Sequence, residues 1–424
     1  MPNNKKTLTL VEGRKVNYRT IRDLREETAK AGWGFLLVED FDRERKAKCD
    51  FRDGFSNYVI WRDLDFTASA VDTMRVLEWL NKNEDIITIN THSVGGRAWS
   101  SDKYYQHALY GMDDYLKPFT PIVRMVRDKE DVRNLVKEGL LKYPLVLKDC
   151  LGTTGKGISL IPNEEYLMSK HIKEGTWNRI MVEPYIYGDY EWRVFVVGGT
   201  AVGFMRKEID NGAGAGDFVA KSAGKGKAKE EDPKIMHDLA RIACHMVADL
   251  GLEYGGCDII RSQRGHYYVL ETNNSAGWQN SFNKITGLNM GQILISWFDD
   301  MSVLKEKGFY AGVKTYVENR IKYLFKDNRD KYESIINWTD KTKKAQGDSL
   351  AARLQNQYYE ILHGADIKEA KNLIDEVERT PLCWAGNFIG SHTWGKDGVL
   401  EECLEPTAYY LAIREKYDKI AKVN

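Results

Sequence analysis

The chain has 424 residues, more than one hydrophobic core usually serves, since cores rarely grow past about 250 to 300 residues, so two or three cores are expected. Its 62 basic and 62 acidic side chains cancel, which removes any overall-charge argument for nucleic acid or an anionic membrane as partner, although a local patch stays open. Six cysteines, at positions 49, 150, 244, 257, 383 and 403, form no CxxC pair, which suits a reducing compartment better than a disulfide framework or a zinc site. No window reaches the ~18 consecutive apolar residues of a membrane span, and MPNNKKTLTL is not followed by a signal-type apolar stretch, so a soluble, cytoplasmic protein is expected.

In chain order, WGFLLVE (33–39), SNYVIWR (56–62) and DIITINT (85–91) are short apolar runs that read as strands. TASAVDTMRVLEWLNKN, from Thr67, winds as an amphipathic helix with Val71, Met74, Leu77 and Leu80 inward, giving α/β order. The chain turns polar at LKPFTP near Leu116, and a second unit begins with the strand PIVRMV, a helix over Asp128 to Gly139, the strand YPLVLKDC and the glycine-rich LGTTGKGISLI. RIMVEPYI, EWRVFVVGG and TAVGFMRKE follow as strands, the last two joined by Gly198-Gly199, a strong hairpin signal. From Asn211 to Lys234 a Gly-, Ala- and Lys-rich stretch without hydrophobic period reads as a mobile loop. A helix from Pro233 to Leu250, the strands CDIIRS and HYYVLET and an apolar helix near Leu288 to Phe298 complete this unit. The remainder reads as helices at Tyr316 to Tyr323, Ser349 to Leu362, Ile367 to Val377 and Pro406 to Ala421, with the Trp-bearing TPLCWAGNFIGSHTWGKDG before the last.

Three features carry chemistry. Asp258 lies at the start of one expected strand, and Glu271 and Asn273 lie two apart on the next, which sends both to one face. If the strands are neighbours, three oxygen donors converge, a set that suits Mg²⁺; the alternative is acids that simply face solvent at strand ends. Lys148 precedes a turn whose backbone N–H groups, from Gly152 through Thr153, Thr154 and Gly155 to Gly157, are placed to cradle phosphate, although the spacing is not that of a Walker loop and a plain hairpin fits as well. Glu183, Glu191 and Arg193 line a cleft edge or form a surface ion pair.

Residues 144–161 (PLVLKDCLGTTGKGISLI), 182–207 (VEPYIYGDYEWRVFVVGGTAVGFMRK) and 250–290 (LGLEYGGCDIIRSQRGHYYVLETNNSAGWQNSFNKITGLNM) together resemble the ATP-grasp fold, and within it the RimK-type carboxylate–amine ligases, which add amino acids to peptides or small acids. The likeness covers about Asp102 to Phe298, with roughly forty residues of close pattern in the third segment. It implies an α/β (α+β) architecture: an N-terminal α/β pre-grasp domain over 1–115, an ATP-grasp domain over 116–300 in two subdomains, and an added, mostly helical C-terminal domain over 301–424 for substrate recognition or oligomerisation.

The same resemblance implies ATP and Mg²⁺ as cofactors, two ions with Mn²⁺ as a substitute, held by Asp258, Glu271 and Asn273. Lys148 and Lys103 would contact the phosphates, and Glu183, Pro184 and Tyr185 would form the hinge whose backbone reads adenine. Glu191 would approach the ribose, and Arg206 would stabilise the acyl phosphate and its tetrahedral successor, with Arg193 nearby. The implied partners are a carboxylate and an amino acid or amine, including a peptide or protein tail, with no membrane, no clear nucleic acid and an open case for a homo-oligomer. Departures stand beside the matches: NNSAGW has Ala276 where relatives carry proline, DFVAKSAGKGKA lacks the family's asparagine and histidine, Arg62 in WRDLDF answers only faintly to a strand arginine, and His392 has no assigned role. The implied reaction is amide formation through an acyl phosphate. A small-molecule kinase and a nucleotide-binding sensor or scaffold are the alternatives.

Overall fold

A computed structural model of the chain describes residues 6–12, 18–38, 58–62, 86–90, 101–152, 157–173, 175–208, 233–278, 282–308, 310–312, 314–315, 344, 350–379 and 399–421. Among them are three four-stranded sheets. The first contains β1 (Thr7–Glu12), β2 (Gly34–Val38), β3 (Tyr58–Arg62) and β4 (Ile87–Ile89) in the order β2-β1-β3-β4, all parallel, with α1 (Tyr18–Lys30) between β1 and β2. Leu8 to Val11 and Tyr58 to Arg62 are buried without alternation, as expected of parallel strands covered on both faces. Neither β1 nor α1 stands out in the sequence. Threonines interrupt the apolar run of β1, and the inner face of α1 is Thr20, Ile21, Leu24, Glu27 and Thr28.

The chain then enters α2 (Lys103–Tyr110), whose N-terminus is capped by the Asp102 carboxylate accepting from the N–H groups of Tyr104 and Tyr105. The second sheet holds β5 (Arg124–Met125), β6 (Leu145–Asp149), β7 (Ile158–Ile161) and β8 (Ile180–Pro184) in the antiparallel order β5-β8-β6-β7. One of its faces, with Leu145, Leu147, Ile161 and Val182, shares a core with Val132 of α3 (Lys129–Lys137) and Leu167 of α4 (Glu164–Ser169).

The third sheet runs β10-β9-β11-β12, antiparallel throughout, from β9 (Gly188–Val197), β10 (Thr200–Glu208), β11 (Tyr254–Ser262) and β12 (Tyr267–Asn273). Gly198 and Gly199, at φ of 55° and 74°, make the tight β9–β10 turn that the dipeptide predicts. A Cβ on Gly198 would sit 2.0 Å from the Trp297 indole nitrogen, so packing as well as backbone angle demands glycine there. α5 (Pro233–Asp249) covers one face of this sheet through Leu239, Ile242, Ala243 and Met246 against Val194, Val196, Cys257, Ile259 and Val269. Tyr110 and Leu116, on either side of the expected 115/116 boundary, both lie in that core.

Part of the opposite face, with Phe195, Val197, Met205 and Tyr254, shares a core with Leu8, Leu10, Tyr58 and Ile60 of the first sheet, with Phe282 of α6 (Phe282–Thr286), and with Leu294 and Phe298 of α7 (Met290–Lys307). Asn90, just beyond β4, fixes this junction. Its backbone sits at a left-handed φ of 61°, its amide nitrogen donates to the carbonyls of Tyr254 (2.9 Å) and Asn274 (2.7 Å), and its amide oxygen accepts from the N–H groups of Tyr254 and Glu253.

α8 (Leu350–Leu362), α9 (Lys371–Arg379) and α10 (Val399–Ala421) enclose a separate core of Leu354, Tyr358, Ile374, Val377, Tyr409 and Ile413. Two helices run longer than expected: α7 continues past Phe298 to Lys307, and α10 begins at Val399. The helix expected from Pro233 to Leu250 is α5, which takes in the last two residues of the expected loop, and the rest of that loop from Asn211 lies outside the described residues. So do the helices expected from Thr67 and at Tyr316 to Tyr323, and the Trp-bearing segment with His392.

Two outcomes follow for stability. Asn90→Ala forces a Cβ-bearing residue without the local hydrogen bonds into the left-handed region and strands buried backbone groups, so chemical denaturation is expected to show a loss of about 2 to 4 kcal/mol, with Asn90→Gly less damaging. Asp249, near Asp113, has its carboxyl pushed up to about 7, first by burial and then by the Asp113 charge. The folded state holds that proton more tightly than the unfolded chain, so this group stabilises at low pH and its contribution is lost as pH rises from about 3.8 to about 7. Thermal melts of Asp249→Asn should therefore show a raised midpoint at about pH 8 and little change at about pH 4.

Candidate active site

The third sheet has one apolar face and, on the lower half of the other, a cluster of charge. Trp192, Val194 and Val196 of β9 point to the α5 core, so Glu191 and Arg193 point away from it. Register brings Asp258 opposite Arg193 on one side and opposite Glu271 on the other, and sets Asn273 opposite Gly256. Glu191, Arg193, Asp258, Glu271 and Asn273 thus share a face. Arg193 grips Asp258 with two N–H groups, Nε donating to Oδ1 at 2.7 Å and Nη2 to Oδ2. The Asn273 amide nitrogen reaches Glu271 Oε1 at 3.1 Å and Asp258 Oδ2 at 3.4 Å.

The second sheet supplies the facing side. Lys148 and Glu183 lie on the face of β6 and β8 away from the α3/α4 core and pair at 2.5 Å. Between the sheets stands Lys103, the first residue of α2, whose Nζ lies 3.1 Å from Glu271 Oε2 and donates to the Gly152 carbonyl at 2.6 Å. That one ammonium joins the glycine turn to the acid cluster. His107, one turn on, donates from Nε2 to the Leu270 carbonyl at 3.1 Å and sits 3.9 Å from Glu183.

Burial and pairing set the protonation states. Burial pulls Lys148 down, but the Glu183 carboxylate more than offsets it and the ammonium is held above its ordinary range. Burial pushes Glu271 up, but Lys103, Arg193 and the Asn273 amide together outweigh it, so the carboxyl ends below the usual value. Arg193 is likewise held charged, burial being outweighed by Asp258. Burial pushes His107 down to about 4, leaving a neutral imidazole. Both Lys148 and Glu271 are therefore ionised at neutral pH.

Several expectations change in detail. Asp258 is the fifth residue of β11, in mid-strand, where two neighbouring strands fix its direction, rather than at the strand's start. Arg193 lies on the central part of the sheet in a pair with Asp258, not at a cleft edge.

Arg206 pairs with Trp192 in the β9–β10 register and its guanidinium lies 4.2 Å from the Tyr190 ring centre, which puts it on the α5 face, across the sheet from Arg193 and Asp258. A strand's period of two allows no other outcome once Met205 enters the opposite core. Arg206 therefore does not join the cluster. The Tyr185 N–H, expected to read adenine, donates to the Pro144 carbonyl at 3.0 Å, and Pro144's neighbour Leu145 pairs with Pro184. The Gly152 N–H closes a turn onto Asp149, while Gly157, at φ of 84°, crosses close to the Asp149 side chain. Thr153, Thr154 and Gly155 lie outside the described residues.

Gln106 and His107 escaped the sequence reading. The signal was present: in KYYQHALY, Lys103, Gln106, His107 and Tyr110 recur at the spacing of one helix face, with polar groups where an apolar stripe would be ordinary.

The donor set fits a hard divalent cation. Two carboxylates and an amide stand within hydrogen-bonding reach of one another, and the guanidinium of Arg193 and ammonium of Lys103 already supply positive charge against both acids. Among the described residues no group of three His, Cys, Asp or Glu gathers for a metal, so this set depends on the asparagine and on oxygens from elsewhere. No helix among them is long and apolar enough to cross a membrane.

Residues 100–298 match the RimK-like ATP-grasp domain family. A probable alpha-L-glutamate ligase of Legionella pneumophila (strain Corby) is 29% identical over 204 residues, which are 47% of this chain and 63% of that protein. Another, from Cellvibrio japonicus (strain Ueda107), is 28% identical over 185 residues, 40% of this chain and 54% of that one. The chain thus spans less than two thirds of the length of these curated relatives. The solved D-alanine–D-alanine ligase from Bacillus anthracis shares the fold, with a TM-score of 0.50 at 18% identity, over 72% of this chain and 100% of that one. The charged face between two antiparallel sheets lies within residues 100–298, the part of the chain that is similar to the RimK-like ATP-grasp domain.

Proposed function

We propose that the protein is an ATP-dependent carboxylate–amine ligase that forms an amide or peptide bond through an acyl phosphate and releases ADP and phosphate. The observation that carries this reading is the convergence of Asp258, Glu271 and Asn273 with Lys103, Lys148 and Arg193 between two sheets, under a glycine turn. Four carboxylates there, Glu183, Glu191, Asp258 and Glu271, against the three cations leave one net negative charge, which favours a divalent cation bound together with a polyphosphate.

Asp258, Glu271 and Asn273 would hold two Mg²⁺ ions, with Mn²⁺ as a substitute, and a bound ion there supplies charge neutralisation at phosphoryl oxygens. Lys103 and Lys148 bind phosphate oxygens, turning toward them from Glu271 and Glu183. Glu183, Pro184 and Tyr185 border the adenine end, with the Tyr185 N–H already committed, and Glu191 lies toward the ribose. A substrate carboxylate oxygen attacks the γ-phosphorus as the bond to the ADP oxygen breaks. The amine nitrogen then attacks the acyl carbon, phosphate leaves, and the nitrogen gives up its proton. Arg193, fixed by two bonds to Asp258, sets a permanent positive charge beside the carbonyl oxygen without reorganising. Arg206 is left out of this role by its place on the far face.

The names of the relatives put L-glutamate first among amines to test, with peptides and protein tails as carboxylate donors; the reaction draws on cytoplasmic ATP. The deciding experiment is ADP release with Mg²⁺-ATP and pools of amino acids and peptides, each mixture read by mass spectrometry. A new mass equal to two components less one water is expected. A product still carrying phosphate, with no second substrate consumed, would replace ligation with kinase chemistry.

Two substitutions separate the faces of the sheet. Glu271→Gln should lower kcat/KM for ATP by about 100-fold or more, through the lost metal-ligand charge. Arg206→Ala should stay within about 10-fold of the unmodified protein, under about 1.4 kcal/mol of barrier.

A further inference from the structure

The alternation of β12 contains a contradiction that the structure resolves with one residue. Tyr267 and Val269 face the α5 core, and in a regular strand Glu271 and Asn273, at the same parity, would face it too. They do not. Val269 pairs with Ile259 while Glu271 pairs with Asp258, so Leu270 is an extra residue, a bulge that reverses the parity of everything after it. Thr272 then takes the core side, where its hydroxyl meets Tyr110 at 2.8 Å and lies 3.6 Å from the Cys257 sulfur.

Among the described residues β12 is also an edge strand, with no fifth strand to fix its register. α2 takes that place with side chains. His107 Nε2 donates to the carbonyl of Leu270, the bulge residue itself, at 3.1 Å. Gln106 closes a two-bond ring with Thr272, its amide nitrogen donating to the Thr272 carbonyl at 2.8 Å and its amide oxygen accepting the Thr272 N–H at 2.9 Å, as a neighbouring strand would. Gln106 and His107 are 1% and 2% exposed, so water does not replace these bonds.

We propose that Gln106 and His107 are positioning residues that lock the Leu270 bulge, and through it turn Glu271 and Asn273 out of the apolar core and onto the metal- and nucleotide-binding face. The inference rests on the ligase reading for what that face binds. The bulge-free register competes because it is the regular one; it would bury Glu271 against Val247 and Cys257 on the α5 side, and the two α2 side chains weight the balance toward the bulge.

The test is calorimetric titration of ATP into the full chain at a series of Mg²⁺ concentrations, with the melting temperature of each ligand-free protein as a second readout. Gln106→Leu removes both bonds at similar volume, and should raise the Mg²⁺ needed for half-maximal ATP binding by about 10-fold or more, the scale of loss when a group that orients a metal ligand is removed. Tyr110→Phe, which removes a contact of the same helix with the same strand but leaves the backbone bonds in place, should leave that Mg²⁺ requirement within about twofold while lowering the melting temperature. Equal Mg²⁺ requirements in Gln106→Leu and the unmodified protein, with a lowered melting temperature, would reduce the clamp to a stability device and overturn the proposal. Absence of Mg²⁺-dependent ATP binding in the unmodified protein would overturn the nucleotide reading itself, and the purpose of the bulge with it. Should Gln106→Leu not fold, Gln106→Glu keeps the size and the acceptor for the Thr272 N–H, sets a charge against the Thr272 carbonyl, and is expected to shift the Mg²⁺ requirement in the same direction.

Discussion

Charge removed from water has to be answered by charge, and the centre of this molecule is organised by that requirement. Asp258 is 4% exposed and Glu183 3%, and an unpaired carboxylate at either place would cost several kcal/mol or shed its charge. Each is met by a cation from a neighbouring strand, Arg193 for Asp258 and Lys148 for Glu183, while Lys103 meets Glu271 from a helix. The pairings explain why the strands around them are so strictly registered. A slip of one residue would separate every pair and turn half of the charges into apolar cores.

The pairs also carry a functional meaning. Side chains that hold one another at 2.5 to 3.1 Å are already desolvated and already aimed at a common space, so little ordering is left for a polyphosphate and its metal to accomplish. Under the proposed function the exchange would be a swap of partners: Glu271 would pass from Lys103 to metal, and the two ammonium groups would pass to phosphate. Because the groups act as a set, losses from single substitutions will not add, and Lys103, which touches both the glycine turn and an acid, belongs to two pairs at once.

Much of this was legible in the sequence, for reasons that also mark the boundary. Strands with dense apolar runs, such as YPLVLKDC and EWRVFVV, declare themselves, and Gly198-Gly199 predicts its own turn. The grouping of Asp258 with Glu271 and Asn273 follows from types and spacing once neighbouring strands are assumed. What spacing does not carry is parity across an irregularity. Arg206 was read from its likeness to a family position, yet its face is decided by the β9–β10 register and by a bulge between Ala201 and Gly203, neither of which has a sequence signature. The Leu270 bulge is silent for the same reason, and so is Gln106, because an amide that stands in for a strand resembles any polar residue on a helix. β1 and α1 were hidden differently, by threonines and a glutamate serving as interior residues.

Asn90 has a further consequence for how the sheets are joined. Its amide sews the first sheet to the backbone at Tyr254 and Asn274, and the same two sheets share one continuous core that includes Tyr58, Phe195 and Phe298. Among the described residues the second sheet contributes none to that core; its apolar face is closed by its own two helices. The first and third sheets are therefore one packed unit, whereas the Lys103 ammonium ties that unit to the sheet that bears Lys148 by a polar contact at the Gly152 carbonyl.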